Sequence, residues 1–249
     1  MSMGERVAIV TGGTRGIGGA ITERLAAEGA HVCAVYVGDH EAARALQQKL
    51  ADQGRSIWVH SGDVGDRAFC LDLVAAVEAE HGRVDYLVNN AGLLVENNAF
   101  RITEDEWDSA VRVNLSGPFH LAQAVLPTMA ERGFGRIVNV GSVTAAMGSP
   151  VEVAYGAAKS GLLGMTRSLA RAVAHKGITV NLVVPGVFDT DMTRSMRPEA
   201  QDAIAAMIPL GRRGLPAELA HAVLFLLDDR ASYVTGSVVT VDGGLSMGD

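Results

Sequence analysis

The 249-residue sequence predicts an α/β fold, a doubly wound parallel sheet of about seven strands with helices on both faces. Short apolar runs rich in β-branched residues alternate along the chain with long amphipathic stretches. A glycine stands between most of these stretches and the next run, where a helix ends in the left-handed conformation. Near-continuous apolar strands joined by helical crossovers are typical of a parallel sheet that is buried on both faces. We therefore expect one Rossmann-type domain over residues 1–249.

The predicted strands share this apolar character. They cover Arg6–Val10, His31–Val37, Ser56–His60, Val84–Val88, Arg136–Val140, Thr179–Val184 and Val238–Val241. The glycines expected to end helices are Gly29, Gly54, Gly82, Gly133 and Gly177. Ligands of such sheets bind outside the carboxyl ends of the strands. Functional residues should therefore follow the strands directly.

Composition and charge limit the kinds of partner. A net charge of −7 argues against nucleic-acid binding, which needs a basic face. The sequence has no apolar run long enough to span a bilayer and no signal-peptide pattern. Cys33 and Cys70 suggest neither a disulfide framework nor a zinc site, and the seven histidines lack the spacing of a metal site. We expect a cytoplasmic protein without a metal that binds neither nucleic acids nor membranes.

A glycine-rich turn follows the first predicted strand and opens a helix. Its residues are Gly12, Thr14, Arg15, Gly16, Ile17 and Gly18. Glycines let backbone N–H groups approach an anionic pyrophosphate closely. Arg15 opposes the helix macrodipole unless an anion lies nearby. The pattern therefore predicts a phosphate-binding turn, with a plain surface arginine as the alternative for Arg15.

The second predicted strand carries Tyr36 at its tip. An NAD site usually places an acidic residue there, which accepts hydrogen bonds from the ribose. Tyr36 would not repel a 2′-phosphate, and Asp39 is interpreted as the cap of the next helix. Together with Arg15, this favours NADP over NAD, although NAD stays possible.

Tyr155 and Lys159 are four residues apart, with only glycine and alanine between them. On a helix they share one face. A tyrosine hydroxyl has an ordinary pKa of about 10, so proton exchange near neutral pH needs a fixed positive charge. We therefore expect Lys159 to lower the pKa of Tyr155. By itself, this spacing is also that of two solvated helix residues.

Residues 103–106 form a capping-box pattern, so a long helix should begin at Thr103 or Glu104. Pro118 lies inside this helix and has no N–H to donate to the carbonyl of Asn114. We expect the helix to be distorted there, leaving that carbonyl to hold an ordered water. A buried kink without a functional role is the alternative.

Together these segments resemble the short-chain dehydrogenase/reductase family in order and spacing. The resemblance is carried by Thr11–Gly18, Asn89–Gly92, Asn114, Ser142, Tyr155 with Lys159, and Pro185–Thr190, and it runs from Arg6 to Gly244. Within the family, residues 189–193, 208–212 and 241–244 look most like those of 3-oxoacyl-(acyl-carrier-protein) reductases and acetoacetyl-CoA reductases. Polyol, sugar and steroid dehydrogenases share some of these segments.

The resemblance implies a catalytic tetrad of Asn114, Ser142, Tyr155 and Lys159. Tyr155 would donate a proton to the substrate oxygen, which Ser142 holds. Lys159 would bond the nicotinamide ribose, and the carbonyl of Asn114 would hold a water that resupplies the proton.

Further residues are implied in cofactor binding. They are Asp63 and Val64 at the adenine, Asn90, Ala91 and Gly92 near the ribose, and Pro185, Gly186, Phe188 and Thr190 at the nicotinamide carboxamide. For Asp63, a loop aspartate before a helix capped by Asp66 is the alternative.

The resemblance also implies the reaction, the NADPH-dependent reduction of a ketone. The substrate would be a 3-oxoacyl thioester, carried by CoA or by an acidic acyl carrier protein. Two alternatives stay open: a polyol, sugar or hydroxysteroid dehydrogenase, and a non-catalytic cofactor sensor.

The sequence itself suggests a cation patch and a lid, and the resemblance suggests how subunits pair. A carrier protein would need a positive patch, and its candidates are Arg132, Arg136, Arg171 and Lys176, with scattered solvated cations as the alternative. Family members pair the two long helices from Thr103 and from about Val153 between subunits, which implies a homotetramer. The Met-rich residues 190–210 are expected to form a lid, or else to belong to the core.

Overall fold

Seven parallel strands form one sheet in the part of the chain that the computed structural model describes, residues 3–194 and 197–247. The strands are β1 Val7–Thr11, β2 His31–Tyr36, β3 Ile57–Ser61, β4 Tyr86–Asn89, β5 Gly135–Val140, β6 Ile178–Pro185 and β7 Val238–Val241. Their order across the sheet is β3-β2-β1-β4-β5-β6-β7, so the chain crosses back over the sheet between β3 and β4. The predicted fold and strands are confirmed, and residues 1–2, 195–196 and 248–249 of the predicted domain lie outside the described residues.

Helices cover both faces of this sheet. They are α1 Gly16–Ala27, α2 His40–Ala51, α3 Arg67–His81, α4 Glu104–Val111, α5 Gly117–Arg132, α6 Thr144–Met147, α7 Val153–Val173, α8 Asp191–Arg194, α9 Pro198–Met207 and α10 Pro216–Leu227. Apolar residues of α1, α2 and α10 form one core layer, and those of α3, α5 and α7 form the other.

Alternate residues of the central strand enter opposite layers. In β1, Ala8 and Val10 pack in the layer of α1 and α10, whereas Val7 and Ile9 pack in the layer of α3 and α5. All four are buried. Both faces are thus apolar, which explains why the strand has no alternation of apolar and polar residues.

The glycines predicted to end helices adopt the expected conformation. Their φ angles lie between 66° at Gly133 and 91° at Gly29. Side chains with a Cβ rarely adopt this left-handed region, so glycine allows each helix to stop just before a strand.

The long helix predicted from residue 103 contains a wide turn. The capping box between Thr103 and Glu106 is confirmed, but α4 ends at Val111 and a π-helical turn covers Arg112–Ser116 before α5 begins. The N–H of Gly117 bonds to the carbonyl of Arg112, five residues back. The predicted distortion is confirmed, and it takes the form of one extra residue in the turn.

One of the four cations predicted for a surface patch lies in the interior. Arg136, in β5, is only 4% exposed. Its guanidinium carbon lies 4.4 Å from the centre of the Phe134 ring, whose other near cation is Arg6, at 3.9 Å. The prediction was wrong for Arg136, because its guanidinium stacks on Phe134 and donates to the carbonyls of Gly135 and Gly177.

Candidate active site

The turn between β1 and α1 leaves backbone donors available for an anion. Gly12 and Gly16 have φ angles of 60° and 54°. Among the described residues, no side chain caps α1, and its first turn has no acidic residue. The first N–H groups of this 12-residue helix therefore lack side-chain acceptors, as in phosphate-binding helix ends. Thr14 and Arg15 lie in this turn, and Ile17 and Gly18 lie in the first turn of α1.

The turn after β1 is fastened to the loop after β4. The hydroxyl of Thr11 accepts hydrogen bonds from the N–H groups of Asn90 and Ala91, at 3.0 and 2.9 Å. In return, the Asn90 amide donates to the carbonyls of Thr11 and Gly12, at 2.9 and 3.2 Å. These bonds hold two of the predicted cofactor-binding segments side by side. Thr11 was not among the predicted site residues.

Gly18, in the first turn of α1, is the glycine of this segment where a side chain fits least. A Cβ added there would overlap the carbonyl oxygen of Gly12, which is backbone and fixed by Asn90. We expect Gly18→Ala to lower the free energy of unfolding by roughly 2–3 kcal/mol and to weaken NADPH binding at least tenfold. Urea unfolding and fluorescence titration with NADPH measure the two effects.

Gly164→Ala is the matched control, because a Cβ on Gly164 in α7 meets no atom within 4 Å. It should leave NADPH binding unchanged. Equal NADPH affinity of Gly18→Ala and wild type would show that the turn does not need a glycine there.

Polar groups at the tips of β2 and α2 contact one another. The hydroxyl of Tyr36 lies 2.9 Å from Nδ1 of His40. Asp39 accepts a hydrogen bond from the N–H of Ala42 at 3.0 Å, which confirms it as the cap of α2. Its other oxygen lies 3.4 Å from the guanidinium of Arg15. Arg15 and Tyr36 thus lie at the same end of the sheet. The carboxylate of Asp39 lies beside them, although the sequence predicted this residue only as a helix cap.

Asp63 is held by two donors. Its oxygens accept from the N–H of Gly65, at 2.8 Å, and from the guanidinium of Arg112, at 2.6 Å. Burial raises the pKa of Asp63, but the hydrogen bonds from Arg112 and Gly65 outweigh it, so this pKa lies below the usual range. Val64 beside it is buried. Arg112 belongs to the π-helical turn, and sequence patterns gave no sign of this pairing.

The π-helical turn carries Asn114, whose side chain fixes the loop after β4. The amide donates to the carbonyls of Leu93 and Ala110, at 2.8 and 2.9 Å, and its oxygen accepts from the N–H of Leu93, at 3.1 Å. A Cβ on Gly92 would lie 3.1 Å from this oxygen and 3.6 Å from Nζ of Lys159. Gly92, Asn114 and Lys159 are therefore brought together, as predicted.

Lys159 is the most deeply buried charged group of the site, with 3% exposure. Its Nζ donates to the carbonyl of Val140, at 2.8 Å, and lies 5.7 Å from the centre of the Tyr155 ring. Burial lowers the pKa of Lys159 to about 8. Near neutral pH this ammonium is therefore close to its own titration range.

Tyr155 and Ser142 meet at the carboxyl end of β5. Burial raises the pKa of Tyr155, a hydrogen bond with Ser142 lowers it, and the charge of Glu152 raises it, with a net upward shift. The expectation that Lys159 lowers this pKa below its ordinary value was wrong for the chain by itself. The pKa rises because burial removes the phenolate from water, and this effect outweighs the hydrogen bond with Ser142 that stabilises the phenolate.

The loop after β6 contacts both the loop after β5 and the glycine-rich turn. Its predicted members are Pro185, Gly186, Phe188 and Thr190. The Pro185 carbonyl accepts from the N–H of Val143, and the N–H of Gly186 donates to Val241. A Cβ on Gly16 would lie 3.6 Å from the methyl carbon of Thr190, so this loop reaches the glycine-rich turn.

The predicted lid contains α8 and α9 where the structure describes it. Ser195 and Met196 of the predicted lid lie outside the described residues. No helix within 3–194 and 197–247 combines the length and the apolar character needed to cross a bilayer. Across those same ranges, no three side chains of His, Cys, Asp or Glu are grouped as metal ligands.

Known proteins match this chain along its whole length. The profile of a family described as enoyl-(acyl carrier protein) reductase matches residues 12–246. The 3-oxoacyl-(acyl-carrier-protein) reductase FabG of Escherichia coli is 42% identical over 247 residues, which are 99% of this chain and 100% of the relative. An acetoacetyl-CoA reductase of Rhizobium meliloti is 42% identical over 240 residues, 96% of this chain and 98% of the relative.

A solved structure agrees in fold. The crystal structure of a blue fluorescent protein from a metagenomic library, in complex with NADPH, is 38% identical with a TM-score of 0.92 and covers 99% of this chain and 100% of its own. Family profile, relatives and fold all indicate the same family. The chain is therefore an oxidoreductase that belongs to the short-chain dehydrogenase/reductase family.

Proposed function

We propose that the protein reduces the ketone of a 3-oxoacyl thioester to the 3-hydroxy product, with NADPH as the reductant. The observation that carries the proposal is the convergence of Ser142, Tyr155 and Lys159 beside the loop of Gly92. The two enzymes that are 42% identical support the substrate class, and the NADPH complex of the structural relative supports the cofactor.

The chain offers each part of NADPH a suitable surface. Backbone donors at the start of α1 fit the pyrophosphate, and Asp63 with Val64 fits the adenine. Residues 90–92 and Lys159 fit the nicotinamide ribose, and residues 185–190 fit the carboxamide. When bound, NADPH supplies the hydride that reduces the ketone carbon.

The proton comes from the chain itself. Ser142 donates a hydrogen bond to the substrate oxygen, and Tyr155 donates its proton to that oxygen as the negative charge develops. Lys159 faces the same ring and stabilises the phenolate that remains. Water at the carbonyl of Asn114 resupplies the proton, because Pro118 has no N–H to occupy that acceptor.

Arg15 supports NADPH over NADH. The side chain of Arg15 is 64% exposed and its contact with Asp39 is 3.4 Å long, so this ion pair is weak. A 2′-phosphate can therefore replace Asp39 as the partner of Arg15, and Tyr36 adds no opposing charge.

Three further features are proposed from the family resemblance and the sequence: the assembly, the cellular location and the lid. We propose a homotetramer paired through α4, α5 and α7. The buried free thiols of Cys33 and Cys70 fit the reducing cytoplasm. Residues 190–210 are proposed to cover the substrate.

A carrier-bound substrate has fewer cations to contact than the sequence suggested. Arg171 and Lys176 are exposed. Arg132 is half-buried and donates to the carbonyl of Val84, at 2.5 Å. Docking of an acidic carrier protein would therefore depend on the two exposed residues at the end of α7.

A steady-state panel tests the reaction. Acetoacetyl-CoA and an acetoacetyl carrier protein should be reduced with NADPH at a kcat/KM at least tenfold above that with NADH. Neither sugars, polyols nor hydroxysteroids should approach this kcat/KM in the direction of oxidation. Faster turnover of one of those alcohols would favour the alternative dehydrogenase. No turnover in the whole panel would favour a cofactor sensor, although the chain retains both Tyr155 and Lys159.

A further inference from the structure

Glu152 lies at the edge of the site, directly before the first residue of α7 and one turn before Tyr155. One oxygen of its carboxylate accepts a hydrogen bond from the Thr144 hydroxyl, at 2.9 Å. Its backbone carbonyl accepts from the N–H of Gly156, at 2.8 Å, and its backbone pairs with Asn97. The carboxylate is therefore held by Thr144 beside the start of α7.

Thr144 connects this carboxylate to the reacting groups. Its N–H donates to the hydroxyl oxygen of Ser142, at 3.2 Å. A Cβ on Gly156 would lie 3.5 Å from its methyl carbon, so α7 packs closely against it. A further bond joins the Ser160 hydroxyl of α7 to the carbonyl of Ala145, at 3.0 Å. Glu152, Thr144 and Ser142 thus form one hydrogen-bonded series that ends beside the phenol of Tyr155.

We infer that Glu152 is a positioning residue that acts through Tyr155: its carboxylate adds to burial in keeping the phenol protonated and so helps to hold the proton donor ready for ketone reduction. This inference rests on the proposed function. A negative charge near a phenol opposes the loss of its proton, because the phenolate would repel the carboxylate.

Other groups around Tyr155 act in both directions. Burial is the largest effect and favours the phenol, the hydrogen bond with Ser142 favours the phenolate, and the charge of Glu152 favours the phenol. The ammonium of Lys159 faces the ring, but its pKa of about 8 leaves it largely neutral at the higher pH where the phenol titrates. The charged side chains after β6 include Asp189, whose carboxylate pairs with Arg194 and Arg213. In the direction of reduction the protonated form is the active one, so Glu152 helps to keep Tyr155 in its active form.

The experiment is a titration of Tyr155 in the whole protein. The four tyrosines are replaced by 3-fluorotyrosine, which ionises at lower pH than tyrosine, and fluorine NMR follows each phenol. The signal of Tyr155 is the one that Tyr155→Phe removes. In Glu152→Gln this signal should titrate at a pH lower by roughly half a unit to one unit.

Two variants serve as controls. Glu152→Asp keeps the charge and should keep most of the wild-type titration, whereas Glu131→Gln removes an exposed acid at the end of α5 and should change nothing. An unchanged fluorine titration in Glu152→Gln, or an equal shift in Glu152→Asp, would overturn the inference. Full turnover of Tyr155→Phe would instead overturn the proposed function, and the fluorine titration distinguishes the two failures because it requires no turnover.

Discussion

Tyr155→Phe should lower kcat for ketone reduction by a factor of about 10²–10⁴, the usual contribution of a general acid. The phenylalanine ring keeps the packing of α7 but has no proton to donate. The substrate oxygen would still be held by Ser142 but would take its proton from water, which lacks the fixed orientation of the Tyr155 hydroxyl. NADPH binding should change less than about threefold, because most of the proposed cofactor contacts lie in other segments.

Single-turnover kinetics and NADPH fluorescence measure these two quantities separately. Tyr233→Phe is the matched control, because Tyr233 is fully exposed and should have wild-type kinetics. If Tyr155→Phe retains the wild-type kcat, the proton comes from another group and the proposed mechanism is wrong.

Lys159→Met is expected to stabilise the protein while it lowers kcat at least a hundredfold. Burial reduces the pKa of Lys159 from 10.5 to about 8, so the folded chain holds this charge at a cost. At pH 7 this shift corresponds to roughly 3 kcal/mol of lost stability. Methionine removes the cost but leaves the carbonyl of Val140 without its donor, which offsets about 1–2 kcal/mol. A net gain of about 1–2 kcal/mol in the free energy of unfolding is expected at pH 7.

The effect of Lys159 on the free energy of unfolding depends on pH. Between pH 8 and 10.5 the unfolded chain binds more protons at Lys159 than the folded chain, so the contribution of this group to stability rises with pH. Below pH 8 the full cost is present. The stability gained by Lys159→Met should therefore shrink as the pH rises above 8.

Urea unfolding at pH 7 and at pH 9.5 measures the change, and Lys176→Met, at an exposed lysine, is the control. The control should show no such dependence. If Lys159→Met were equally destabilised at both pH values, Lys159 would be a structural contact and not a strained charge.

The features that the sequence predicted well depend on neighbouring residues. The strand followed by Gly12, Gly16 and Gly18 can be recognised from residues that are neighbours in the sequence. The same holds for the capping box at Thr103 and for the left-handed glycines. Strand ends were within two residues of the structure because burial on both faces leaves a continuous apolar run. Most of the candidate cofactor-binding residues could be named because they follow a strand of a parallel sheet. Asn114, Tyr155 and Lys159 lie on helical segments and were named from their spacing and from the family resemblance.

Features that depend on contacts between distant segments were not predictable. Arg136 is buried because β1, β4 and β5 bring Arg6 and Phe134 to one place, although more than a hundred residues separate the two arginines. The pairing of Asp63 with Arg112 has the same origin. The upward shift of the pKa of Tyr155 depends on how deeply the phenol lies, which spacing alone does not reveal.

The π-helical turn at Arg112–Ser116 places one residue more between α4 and α5 than an α-helix would need, because the N–H of Gly117 bonds five residues back. Loss of one of these five residues would let the turn close as an ordinary α-helical one, with α4 and α5 still in line. Asn114 would then no longer be held at the same place relative to Leu93, whose N–H and carbonyl its side chain binds. The extra residue thus serves the site more than the helix, and a one-residue deletion here is expected to lower activity more than stability.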